Sequence, residues 1–242
     1  MPGMDEVTAE RFAALVRPAV NRVQRGVHDR SRAQGGAELV RRYGIPPTKL
    51  LDTLRFVLLR GPLDRAAFPL AARYDPVETV LSEVDELVGC GWLVPSAGGL
   101  AVGERAAAFL HELYNLHAKV TATCWPAELS GVLDIAGRLL AAGAATGGPA
   151  FAVFTPPYER PGDPPGVLLF NRLAALRYHR SDAHAAAWAA RGLTVEQIAA
   201  LPAETPLRQE IEEDTNRRAA PPYSALTAVE RLEFVAGLAA LD

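Results

Sequence analysis

Cysteine is scarce in this 242-residue chain, occurring only as Cys90 and Cys124. The pair forms neither a metal-ligand spacing nor a disulfide framework, so buried thiols in a reducing cytoplasm are expected. Long apolar runs are missing too: none approaches the roughly 18 residues needed to cross a bilayer. The first residues include Asp5 and Glu6 and lack the apolar centre of a secretion signal. A cytoplasmic chain that does not enter a membrane follows. Signatures of bound groups are absent as well. His111 and His117, six residues apart, do not share a helical face, so exposed or capping histidines and no metal are expected. The stretch Ala144-Ala145-Thr146-Gly147-Gly148-Pro149 has neither the order of a phosphate loop nor a dinucleotide fingerprint. It reads as a linker, and no cofactor is implied. No Ser, Cys or Thr stands in a recognisable nucleophile setting.

Lysine is nearly missing, with two against 23 arginines, while 49% of the residues are hydrophobic and 22% charged. Such a chain can bury a full core as one large or two small domains. The net charge of −3 excludes a uniformly basic nucleic-acid binder, but the charge is uneven. Arg11 to Arg60 hold eleven cations and three acids, whereas residues 126 to 242 hold ten cations and fourteen acids.

The pattern is mainly helical. Thr8 caps a helix with Phe12, Leu15, Val16, Val20, Val23 and Val27 on one face and Pro18 inside it. Arg17, Arg22, Arg25, Arg30 and Arg32 fall near the opposite side, either as a flank for a nucleic-acid backbone or as partners for acids elsewhere. Gln34-Gly35-Gly36 breaks the chain, Ala37 to Tyr43 form a short helix, and Pro46-Pro47-Thr48 open another through Leu50, Leu51, Leu54, Val57 and Leu58. Asp64 caps a short helix over Arg65 to Ala72. Asp75-Pro76, with Glu78 three residues after the cap, opens a helix whose apolar face is Val77, Val80, Leu81, Val84, Leu87 and Val88. Gly89 and Gly91 stop it. Trp92-Leu93-Val94 and Leu100-Ala101-Val102, joined through Pro95 to Gly99, predict a hairpin, and Glu104 to about Thr123 a long helix.

That order resembles a MarR-like winged helix over roughly Pro46 to Cys124. The resemblance implies a winged helix-turn-helix with a small β-hairpin wing, in which the helix from Asp75 to Val88 reads double-stranded DNA and the helix from Glu104 packs against its twin in a homodimer. Glu78, Glu83, Asp85 and Glu86 decorate the outward faces of that reading helix, and no Lys or Arg lies between Tyr74 and Glu104. Phosphates are held chiefly by cations, so DNA contact would fall to Arg41, Arg42, Lys49, Arg65 and Arg73.

Trp125-Pro126 marks the expected boundary between residues 1–125, the N-terminal helices and winged unit, and residues 126–242, a helical ligand or dimerisation domain. Ser130 is placed as the cap of the next helix, and Phe151 to Phe154 as a short strand or extended piece before a proline-rich loop. From Val167 a strong helix puts Asn171, Tyr178 and Asp182 on one stripe and Arg180, His184 and Trp188 on a neighbouring one. Thr194 and the Thr227/Glu230 capping box start later helices. Arg180, Asp182 and His184, followed by Arg208, Ile211, Glu212, Thr215, Ala219, Ala220, Pro222 and Tyr223, resemble the SalK-type actinobacterial helical family. That resemblance implies that these polar groups lie together in space.

Three readings of the cluster stay open: a buried hydrogen-bond network, a small-molecule pocket lined by Tyr178, Asp182, His184, Trp188 and Tyr223, or a catalytic His and Asp pair. Two functions lead, with a third reading, an interaction adaptor whose acidic and basic helices pair between subunits, behind them. One is a winged-helix transcriptional regulator with a small-molecule-sensing helical domain. The other is a winged-helix scaffold that has lost DNA binding and binds or transforms a metabolite.

Overall fold

The computed structural model describes residues 8–46, 48 and 50–241, with the side chains of residues 52–54 set aside. Pro47, Lys49 and the Leu54 side chain, all assigned above, lie outside the described residues. The chain is mainly helical with one small antiparallel sheet, and no helix among the described residues is long and apolar enough to cross a membrane.

Helix α1 (Ala9–Ser31) starts where Thr8 accepts from the Arg11 N–H, and it buries Phe12, Ala13, Val16, Val20, Val23 and Val27. Leu15, assigned to the same face, is instead 56% exposed. The helical path breaks at Gln34 and Gly35 before α2 (Ala37–Tyr43). Then come α3 (Leu50–Leu58), a 3-10 turn at Arg65–Ala67 capped by Asp64, α4 (Phe68–Ala71) and α5 (Val77–Gly89). Strands β1 (Leu93–Ser96) and β2 (Gly99–Val102) follow, paired from Leu93↔Val102 to Ser96↔Gly99. Leu63 adds a bridge on the far side of β2, exchanging backbone hydrogen bonds of 2.8 and 2.9 Å with Leu100. That pairing requires glycine at 99, where φ is +135° and a Cβ would stand 2.3 Å from the Leu63 carbonyl oxygen.

The rest is α6 (Glu104–Cys124), α7 (Ser130–Gly143), α8 (Pro149–Phe154), α9 (Pro165–Ala189), α10 (Val195–Ala200), α11 (Pro206–Ala219) and α12 (Ala228–Ala239). Thr194 with Gln197 and Thr227 with Glu230 close capping boxes at α10 and α12. Helix α9 is central, packed by α1, α6, α7, α8 and α11. Its apolar residues therefore occupy several faces rather than one stripe, from Leu169 and Phe170 to Ala183 and Ala187. One apolar cluster runs through Val16, Phe56, Trp92, Leu110, Phe151, Phe170 and Phe234, on both sides of Trp125.

Several expectations change. Phe151 to Phe154 are helical: Pro149 stands at the first turn and Asp182 accepts the first free N–H groups, which favours a helix over a strand. Asp75 does not cap α5, because Pro76 occupies the cap and makes no side-chain bond. Ser130 is the first residue of α7, while Glu128 accepts from its backbone N–H at 2.9 Å. Cys90 is exposed and Cys124 half-buried. His117 is buried rather than exposed or capping, because α6 packs against α1 and α9 and turns it toward Phe170 and His28. Phe109, Leu110, Leu113 and Val120 of α6 are buried within the chain.

Candidate functional site

A cavity of about 550 Å³ opens where α1, α9 and α11 meet the end of α3 and the segment Ala71 to Tyr74. Helical periodicity builds its walls. Positions 13, 16, 17, 20, 21 and 24 of α1 line one side, and positions 174, 176, 177, 178, 180, 181 and 184 of α9 the other, every one with a partner three or four residues away in its set. Ala13, Val16 and Val20 give the α1 wall an apolar strip. The cavity takes in residues from both sides of Trp125.

Its charge is one-sided. Six arginines, Arg17, Arg55, Arg73, Arg177, Arg180 and Arg208, share the lining with one carboxylate, Glu212. Glu212 serves three of them: Arg17 at 2.5 Å, Arg180 at 3.0 Å and Arg208 at 3.7 Å. Arg180 also donates to the Asn216 side-chain oxygen at 2.8 Å. Arg55 lies under the rings, its guanidinium 4.7 Å from the Phe170 centroid and 5.3 Å from that of Phe56. Arg177 makes no ion pair among the described residues. Arg177 is exposed to solvent, although the protein around it lowers its pKa, an effect that Tyr178 opposes and Arg55 and Arg25 reinforce. Arg180 is likewise lowered by burial, against the opposing pull of Glu212.

His184 sits at the Glu212 end. Its Nδ1 lies 2.6 Å from the Tyr74 hydroxyl, while its buried Nε2 makes no hydrogen bond and stands 3.8 Å from Glu212. Burial pushes its pKa down to about 4; Glu212 opposes that shift, and Arg208, Arg180 and Arg17 reinforce it. The ring is therefore neutral near pH 7, and Nε2 can donate to or accept from a ligand according to tautomer.

The five residues assigned to a ligand pocket divide. Tyr178, His184 and Tyr223 line the cavity. Tyr178 stacks on Phe154 at 3.8 Å, and Tyr223 packs edge-on to Phe12. Asp182 faces elsewhere: it pairs with Arg73 and accepts from the backbone N–H groups of Ala150 at 3.2 Å and Phe151 at 2.8 Å. Trp188 packs beside Ala187, Ile198 and Ile211 and, with Asp182, borders a second hollow toward the start of α5. Asp182 and His184 are thus two residues apart in sequence but serve different sites.

Of the arginines assigned to DNA, Arg41, Arg42 and Arg65 form exposed surface ion pairs, and Arg73 is mostly buried. Arg41 pairs with Glu38, Arg42 with Glu112, Arg65 with Asp85 at 2.7 Å and Arg73 with buried Asp182. On the outer side of α5, Glu78, Asp85 and Glu86 are exposed. Of the α1 arginines, Arg17 takes its counter-charge from Glu212 of α11. Sequence reasoning missed Arg17, Arg55, Arg177, Arg208, Glu212 and Tyr74 as cavity residues. The missing signal for Arg17 was that it repeats with Ala13, Val20 and Gln24 on one side of α1.

Among the described residues, no three His, Cys, Asp or Glu side chains converge as metal ligands would. No protein-family model, curated protein or solved structure matches the chain.

Proposed function

We propose that this chain is a small-molecule-binding protein built on a winged-helix scaffold, with the cavity between the unit 50–102 and the C-terminal helices as its working site. The carrying observation is the cavity itself: its volume falls in the range of small-molecule sites, and both halves of the chain supply its walls. The order of α3, α4, α5 and hairpin, with Leu63 adding a third pairing to the wing, supports the scaffold. The exposed carboxylates of α5 and the burial of Arg73 against Asp182 speak against DNA as the main partner, since association with duplex DNA depends on cations meeting phosphates.

Fluorescence anisotropy with sheared double-stranded DNA at low ionic strength tests this choice, alongside native mass spectrometry of the purified chain. The expected result is no DNA binding and a co-purifying or titratable small molecule. Tight, steeply salt-dependent DNA binding would replace the scaffold reading with the second one, a MarR-like regulator acting as a dimer, for which the helix order and the three-way wing pairing are the supporting features.

A further inference from the structure

Granted that the cavity is a small-molecule site, its lining narrows what can occupy it. Three guanidinium groups crowd one Glu212, and Arg177, on the same side of α9 as Arg180, has no carboxylate partner among the described residues. Holding partly desolvated like charges together disfavours the empty cavity, and an incoming anion relieves that repulsion while keeping its own hydrogen bonds. The guanidinium fork matches carboxylate and phosphate oxygens in geometry as well as charge. Across from Arg177 and Arg180 of α9, the α1 wall carries the closely packed side chains of Val16 and Val20 beside Arg17, Asn21 and Gln24.

We infer that the cavity takes an organic anion, a small molecule whose carboxylate or phosphate is held by Arg177 and Arg180 and whose apolar body lies against Val16 and Val20. Residues 177 and 180 are one helical turn apart, so two guanidinium groups can bracket one head group. A purely apolar ligand would leave Arg177 without an anionic partner among the described residues, and a bare inorganic anion would leave Val16 and Val20 uncontacted. His184, neutral at the Glu212 end, supplies one further polar contact through Nε2 for a ligand long enough to span the cavity.

The test is calorimetric titration of the full chain with octanoate, octyl phosphate and the neutral isostere octanamide, repeated on R177Q. Binding of octanoate or octyl phosphate at least about tenfold tighter than octanamide, with a loss of about tenfold or more in R177Q, is the expected result. Whichever of the two anions binds more tightly identifies the head group as carboxylate or phosphate. Arg177 makes no ion pair among the described residues, so R177Q should fold with an unchanged or raised melting temperature. Equal binding of octanoate and octanamide, unchanged affinity in R177Q, or no binding by either anion would overturn the organic-anion inference.

Cavity-filling variants separate that failure from failure of the cavity reading. V16W, or S181W from the α9 side if the first does not fold, should abolish binding of every probe. Retained binding in a folded, filled variant would place the probes elsewhere and remove the cavity as the site. Equal binding of the charged and neutral probes, lost on filling, would keep the cavity and reject only the anion.

Discussion

Arg73 is ion-paired with Asp182, 109 residues further along the chain, and the two are respectively 16% and 6% exposed at their side chains. The pair ties the segment before α5 to the middle of α9. Asp182 is fully engaged, because its carboxylate also receives two N–H groups from the first turn of α8.

Asp182→Ala should therefore cost about 3–5 kcal/mol of stability, since it leaves a mostly buried guanidinium and two amide donors without their acceptor. Arg73→Ala should cost less, about 1–2 kcal/mol, because Asp182 keeps both amides. Urea denaturation of the two variants checks the order. Equal losses would mean that the amide bonds contribute nothing.

Gly148 lies against the same carboxylate: a Cβ there would stand 2.7 Å from Asp182 Cγ and 2.9 Å from its Cβ. The obstacle is a buried, bonded side chain that cannot swing aside. Gly148→Ala should destabilise by about 1–3 kcal/mol through overpacking. At exposed Gly131, in the first turn of α7, an added Cβ meets nothing within 4 Å. Gly131→Ala should gain about 0.5 kcal/mol from helix propensity. Thermal denaturation of the two variants should show shifts of opposite sign.

His184 makes stability depend on pH. Its folded pKa, pushed to about 4, lies below the ordinary histidine value of about 6.5, so the unfolded chain binds the extra proton first. The contribution is present above pH 6.5 and is lost as pH falls toward 4. The groups facing the ring are Tyr74, Glu212, Arg208, Arg180 and Arg17. His117 and His179, also lowered chiefly by burial, act in the same direction. In His184→Asn the fall in denaturation midpoint between pH 6.5 and 4 should be shallower than in the parent chain. An identical slope would place the pH dependence in other groups, the remaining histidines or the ion-paired carboxylates such as Asp214 and Glu230.

Much of the helical order is legible along the chain, because caps and periodicity are local. Thr8, Asp64, Thr194 and Thr227 cap as their positions imply, and the hairpin falls between Leu93 and Val102. The α8 segment misleads because Phe-Ala-Val-Phe suits a short strand by residue type. Its helix depends on Asp182, far away in sequence, which receives its opening N–H groups. The cavity was half legible: Tyr178, His184 and Tyr223 belong to it, whereas Asp182 and Trp188 face other neighbours.

Sequence alone determined the mainly helical class, the caps at Thr8, Asp64, Thr194 and Thr227 and the acidic outer face of α5, since each depends on residues within a few positions of one another. Tertiary structure decided what the charges do. Ion pairs are settled by which surfaces meet after packing, so only the assembled fold turns Arg73 toward Asp182, brings Arg17, Arg180 and Arg208 onto one Glu212, and leaves Arg177 facing the cavity without an ion pair among the described residues.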